Sequence, residues 1–324
     1  MLLTENIQDQ FDTEGYVVVR GLLSWEDDLQ PVVTEYEGVL NRVVRRWYTE
    51  GLLTSTYEDL PFGERLISTV VQSKASYDKV FDISLPQADI TENTPMHHGP
   101  AVFSLLRSPR LLDVVEQFVG PEIYSNPVQH ARFKLPEAVL PEQSRSGHSS
   151  QVALHQDLGV VTEDADATDM LTVWFPMNPT NVENGCLAVV PGSHHQELKL
   201  HCRSRDPLTL NQVCIPELLC PENEVPLPME PGDVLFMHRK TQHAGLINRS
   251  DRIRWSFDLR YQPTGQPTGR HWFPGFVARS GAHPESELHD PVAWSTQWRE
   301  ARRKLAQGDD VAFNRWKLDD PRCA

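Results

Sequence analysis

The stretch ALHQDLGV, residues 153–160, sets His155 and Asp157 two positions apart among apolar neighbours. On a strand, residues i and i+2 point to the same face, so the imidazole and the carboxylate address one side of whatever the strand packs against. A carboxylate turned inward is costly unless positive charge meets it, and a divalent metal meets it as well as any side chain. The spacing alone is weak evidence. With 13 histidines in 324 residues, chance supplies about one such pair.

The length allows two average domains, but β-rich domains often run past about 200 residues as one unit. The expectation is a single domain over 1–324, with a mostly helical scaffold at 1–120, a β core at 121–262 and a C-terminal extension at 263–324. A hydrophobic content of 39%, with 8 Trp and 12 Phe, supplies a real core. The net charge of −15, from 45 acidic against 30 basic residues, argues against nucleic acid and anionic membranes as partners. The opening MLLTENIQDQFDTEGYVVVRG has no basic region leading into an apolar run, and no apolar run approaches membrane-spanning length. The expectation is a cytoplasmic chain with neither signal peptide nor transmembrane helix. Five cysteines without CxxC spacing predict reduced thiols, with no disulfide framework and no cysteine zinc site.

GYVVVRGLL at 15–23 is a β-branched run that predicts a short strand. In residues 25–52, Val39, Val43 and Trp47 recur at helical spacing, and SPRLLDVVEQFVG at 108–120 predicts a second helix. Ser108 stands there as cap, Pro109 at the first helical position and Gly120 as the stop. From about residue 121 the texture changes to short β-like runs: NPVQHARFKL, SQVALHQDLGV, DMLTVWFPMNP, CLAVVPGSH, GDVLFMHRKTQHAGLINRS and RIRWSFDLRYQP. Such punctuation predicts a sandwich or barrel, with turns at Glu183–Gly185 and Pro231–Asp233. Two Pro-rich intervals, 135–150 and 203–228, read as surface loops able to cover a site mouth. There is no internal repeat.

Two ligands hold a metal too weakly, whereas two His and one carboxylate on one face leave three positions open for chemistry on Fe(II). The best candidate for the third ligand is His243, after the strand-like GDVLFMH; its competitors are His194 and His195, which look like exposed loop residues, and His238 at a strand end.

Four segments, FDTEGYVVVRGLLS at 11–24, HQD at 155–157, NGCLAVVPGSH at 184–194 and EPGDVLFMHRKTQHAGLINRSDRIRWS at 230–256, together resemble the phytanoyl-CoA dioxygenase family of Fe(II)/2-oxoglutarate oxygenases. The resemblance covers most of residues 11–262. It implies a mainly β fold with α additions, a double-stranded β-helix (jelly roll) core flanked by N-terminal helices. It also implies that His155, Asp157 and His243 ligate Fe(II), and that Arg254, eleven residues beyond His243, pairs bidentately with the distal carboxylate of the cosubstrate 2-oxoglutarate. The alternation in RIRWSF puts Arg252, Arg254 and Ser256 on one face, and two inward arginines need anionic company.

By the same resemblance Trp174 lines the cosubstrate pocket, Lys134 approaches the cosubstrate and Gln156 completes the HQD triplet. Each also has a plain reading, as core packing, a solvated edge strand or an outward strand residue. At Gly245, two residues past the third ligand, relatives often carry Ser; the missing hydroxyl is either lost or supplied by Ser256.

The chemistry the resemblance implies is oxidative decarboxylation of 2-oxoglutarate with dioxygen, giving succinate, carbon dioxide and, by default, hydroxylation of an unactivated carbon. Desaturation, ring closure and epoxidation depend on substrate placement. Asp157 counts against halogenation, in which a small residue replaces the carboxylate. The reading from another class is a cupin-like jelly-roll protein or isomerase that binds a metal or small molecule without oxygen chemistry; Arg254 has no evident purpose there. A small or medium organic molecule is the expected substrate. An acyl-CoA would need a basic patch, and the basic clusters NRVVRRW and REARRKL, like Trp294 and Trp298, read as helix or core features.

Overall fold

In the computed structural model, which describes residues 2–140, 151–206, 209, 212–308, 311, 313, 315–316 and 321–323, helices fill most of the chain up to Val119 and strands dominate from Glu122 to Ser280. The first part holds helix α1 (Leu2–Glu14), strand β1 (Tyr16–Val19), α2 (Gln30–Thr49), α3 (Phe62–Ser73), α4 (Asp78–Phe81), α5 (Pro100–Leu106) and α6 (Pro109–Val119). There follow β2 (Glu122–Ser125), β3 (His130–Lys134), β4 (Val152–His155), β5 (Leu171–Pro176), β6 (Leu187–Val189), β7 (Cys202–Arg203), β8 (Val213–Cys214), β9 (Val225–Leu227), β10 (Val234–His238), β11 (His243–Gly245), β12 (Arg254–Pro263), β13 (Phe276–Ser280) and helix α7 (Pro291–Ala306).

Helix α2 forms where the apolar spacing predicts it. Val32, Tyr36, Val39, Leu40, Val43, Val44 and Trp47 are buried along one stripe, as a helix packed on a sheet requires. Helix α6 starts at Pro109 and stops at Gly120, whose φ of 81° suits a residue without Cβ. Ser108 occupies the cap position, but its hydroxyl makes no capping bond.

The strands form an antiparallel sheet in the order β1-β10-β5-β12-β2-β13, with β3 also on β12, and a second sheet in the order β4-β11-β6-β9. This is the expected jelly roll. Strand β12 organises the larger sheet: at ten residues it is long enough to pair with β5, β3 and β2. Its Trp255, Phe257, Leu259 and Tyr261 join the main core with residues of α2, α5 and α6. The turns at Gly185 and Gly232 form with φ of 83° and 99°, and Asp233 ties its turn by accepting from the Glu230 and Gly21 amides.

Trp294 and Trp298 are core residues that pack around half-buried His98. No described helix is long and apolar enough to cross a membrane. Residues 141–150 of the first Pro-rich interval, and four positions of the second, lie outside the described residues.

The expectation of wholly reduced thiols is corrected. Cys202 and Cys323 form a disulfide across 121 residues, while Cys186, Cys214 and Cys220 are free. Local spacing carries no sign of such a pair, because it depends on where the C-terminal segment docks. Trp316 of that segment stacks on His201, and Arg315 pairs with Asp166.

Candidate metal centre

His155 ends β4 and His243 begins β11, and the two are direct cross-strand partners. Their rings therefore share a face, with centroids 4.3 Å apart. Each Nδ1 lies against the carbonyl two residues back, Ala153 O at 2.9 Å and Thr241 O at 3.0 Å. A carbonyl only accepts, so Nδ1 carries the proton and each Nε2 presents a lone pair to the site. Burial, and then the neighbouring His155, push the His243 pKa down to about 4, which keeps its imidazole neutral and able to ligate at neutral pH.

Asp157 lies just beyond the strand, at the start of a short 3-10 turn, with Gln156 still extended. That extended residue preserves the period-two geometry, and Asp157 Oδ1 lies 3.7 Å from His155 Nε2 and 4.0 Å from His243 Nε2. Ligand atoms of the three residues lie within 4.8 Å of one another. Two lone-pair nitrogens and one carboxylate oxygen fit a borderline divalent metal such as iron. Burial alone would raise the Asp157 pKa, but Arg260, His243 and His155 outweigh it and hold the group well below the usual carboxylate range. Gly159 closes the turn against His201, where a Cβ would stand 2.4 Å from the ring.

Beside this cluster the interior is cationic. Arg254 is 1% exposed and lies opposite Lys134 in the β12–β3 register. Like charges directly opposite are destabilising. Among the described residues neither has a carboxylate within salt-bridge distance: Arg254 donates to Gly185 O and Ser256 Oγ, and Lys134 to Gly245 O and Leu246 O. Burial, then Arg254 and Arg132, push the Lys134 pKa well down, and burial and Arg132 bring Arg254 to about 10. The Trp174 ring lies 5.8 Å from the Arg254 guanidinium. Gly245 matters to this geometry, because a Cβ there would stand 3.2 Å from Lys134 Nζ and 3.3 Å from Val152.

Thus His155, Asp157, His243, Arg254, Lys134, Trp174 and Ser256 come together, with His155, His243, Trp174 and Arg254 lining one small cavity. Gln156 stands aside: its amide donates to Lys240 O and accepts from Lys199 N, tying the ligand turn to neighbouring loops. Of the competing histidines, His238 does end β10. His194 is buried, not exposed, and bonds to Asp12 O. Arg252 corrects the reading of two inward arginines: β12 begins at Arg254, and the Arg252 side chain is 76% exposed.

Three residues of the site, Thr172, Arg260 and Asp258, go beyond the sequence reading. Thr172 Oγ1 and Arg260 both donate to Asp157, and Asp258 is held between Arg260 and Arg132. For Asp258 and Arg260 the signal is the alternation of β12 itself, which continues past Ser256 to Asp258, Arg260 and Gln262; Thr172, on β5, gives none.

The phytanoyl-CoA dioxygenase family model matches residues 11–256. The peroxisomal phytanoyl-CoA dioxygenase of Rattus norvegicus is 24% identical over 254 residues, which cover 78% of this chain and 66% of the rat protein. The 1-deoxypentalenic acid 11-beta-hydroxylase of Streptomyces exfoliatus is 27% identical over 267 residues, covering 80% of this chain and 81% of that one. Among solved structures, the non-heme monooxygenase ThoJ in its apo form is similar in fold, with a TM-score of 0.54, 14% identity and coverage of 93% of this chain and 98% of that one.

Proposed function

Because the chain belongs to the phytanoyl-CoA dioxygenase family, we propose that it is an Fe(II)- and 2-oxoglutarate-dependent dioxygenase that hydroxylates an unactivated carbon of a small or medium organic molecule. The observation that carries this reading is the Arg254–Lys134 pair, two buried cations in register with no acid partner among the described residues. Such a pair calls for an anionic ligand, and 2-oxoglutarate brings two carboxylates. His155, Asp157 and His243 would hold the iron. The Arg254 guanidinium, oriented by Ser256 and walled by Trp174, would take the distal carboxylate, for which its fork of donors is suited. Lys134 adds a second positive charge.

Iron and 2-oxoglutarate, bound together, supply the oxidative decarboxylation that activates dioxygen and yields succinate and carbon dioxide. The chain's own part is to position and to shield. Val152, Leu187 and Met237 form an apolar wall beside the histidines, which keeps water from the reacting centre. That wall suits an aliphatic substrate.

The test needs no substrate. Adding 2-oxoglutarate to the anaerobic Fe(II) protein should produce a weak visible charge-transfer band. Asp157→Ala and His243→Ala should each abolish the band and the uncoupled turnover of 2-oxoglutarate to succinate while leaving the fold intact. Metal binding with no band would sink the reading and favour a cupin-like binding protein.

A further inference from the structure

Both carboxylate oxygens of Asp157 are already engaged, by two residues on neighbouring strands. Arg260 Nη2 donates to Oδ1 at 2.5 Å, and Thr172 Oγ1 donates to Oδ2. Arg260 and Thr172 are themselves direct cross-strand partners in the β12–β5 register. One position of the larger sheet therefore reaches across the interior and holds the carboxylate at two points. The oxygen left facing His155 and His243 is Oδ1, the one that Arg260 also holds.

Arg260 is 2% exposed, and its other arm runs to Asp258 Oδ1 at 3.2 Å and Val128 O at 3.1 Å. Asp258 is in turn paired with Arg132 at 3.0 Å. The charges alternate along this row, and among the described residues Arg260 is the one Lys or Arg that pairs with both carboxylates. A buried carboxylate with no counter-charge is strongly unfavourable.

We infer that Arg260 and Thr172 form a two-point clamp on Asp157, in which Arg260 is a resident counter-ion that an incoming divalent metal must compete with for Oδ1. This rests on the reading of Asp157 as a metal ligand and adds two positioning residues to it. Thr172 occupies Oδ2, so the carboxylate is offered through one oxygen only. Arg260 keeps the carboxylate compensated before metal arrives and draws charge from the ligating oxygen afterwards. The clamp thus preorganises the ligand and weakens its hold on the metal.

Metal binding itself supplies the test, with Ni(II) and Co(II) as probes. Arg260→Met removes the charge and keeps most of the length. It should bind Ni(II) at least tenfold more tightly than the unsubstituted chain, and show a larger metal-induced rise in Tm from a lower starting Tm. A purely structural role would lower both melting temperatures and leave the metal-induced rise unchanged, and that result, or weaker binding by a folded variant, overturns the counter-ion role. Should Arg260→Met not fold, Arg260→Lys carries the same test: its ammonium cannot bridge Asp157 and Asp258, so binding should tighten by a smaller factor, and unchanged binding overturns the inference. Thr172→Val frees Oδ2 to join the metal; the Co(II) visible bands should lose intensity as the coordination number rises, and an unchanged spectrum overturns the two-point clamp. Asp157→Asn separates the layers: if it binds Ni(II) as the unsubstituted chain does, the metal-centre reading fails and the clamp's role fails with it.

Discussion

The two faces of β12 are buried to the same depth and meet opposite chemistry. On one side Trp255, Phe257, Leu259 and Tyr261 enter the main hydrophobic core. Trp255 packs against Phe133, Tyr36 and Phe62 with ring centroids 4.8–5.3 Å apart, and Tyr261 spends its hydroxyl on Leu106 O. On the other side Arg254, Ser256, Asp258, Arg260 and Gln262 face the interior between the sheets, all buried. Burial does not tell scaffold from site here. What separates them is charge: the apolar face is closed by ring packing, Asp258 and Arg260 on the polar face are closed by ion pairs, and Arg254 at its upper end has no acid partner among the described residues.

That difference assigns different losses to neighbouring residues. Trp255→Ala should cost about 3–5 kcal/mol of stability, because a large ring leaves a cavity among residues that relax only partly. The metal affinity of the folded fraction should stay within error. Urea unfolding alongside a Ni(II) titration checks both. A large drop in metal affinity with little loss of stability would break the separation between the faces.

Arg254→Ala should spare the fold and strike the cosubstrate. Losing the charged partner of a bound carboxylate costs on the order of 3 kcal/mol, about a hundredfold in 2-oxoglutarate affinity. Fe(II) affinity should barely move, since no described contact joins Arg254 to the three ligands. Arg254→Lys should recover only part, because an ammonium does not reproduce the two-pronged geometry. Titrating the charge-transfer band with 2-oxoglutarate reads this directly. Equal losses for iron and cosubstrate would mean that the polar face acts as one unit.

The sequence made much of this division legible, and its failures have physical causes. Alternation located β12 and its inward face, and HQD with His243 marked a cluster that the backbone brings together through one cross-strand pair. The clamp on Asp157 was less visible because Thr172 is an ordinary strand residue until β5 is set against Arg260. The Cys202–Cys323 bond was invisible for the same reason on a larger scale. Local patterns report which face a residue takes, while partners 15, 103 or 121 residues away depend on register and docking. Gln156 shows the complementary limit. It lies between two candidate ligands, yet alternation turns it away from them, and its amide serves the loops.

Arg252 carries the smallest expected effect and the sharpest check on the register. It lies two residues before Arg254, so an unbroken strand would bring both guanidinium groups inward. Instead β12 begins at Arg254, and Arg252 stands in solvent with exposed Asp251 as a neighbour at 3.6 Å. Asn248 and Ser250 take up the Arg252 carbonyl, which holds the backbone in a turn up to that point. An exposed pair of this kind contributes about 0–1 kcal/mol. Arg252→Ala should therefore leave stability, Ni(II) affinity and 2-oxoglutarate affinity within error of the unsubstituted chain, in the same titrations that expose Arg254→Ala. If Arg252→Ala instead produced the hundredfold cosubstrate defect and Arg254→Ala did not, the polar face would be displaced by one strand period. Arg260 would then no longer lie opposite Thr172, and the clamp on Asp157 would have to be rebuilt from other residues.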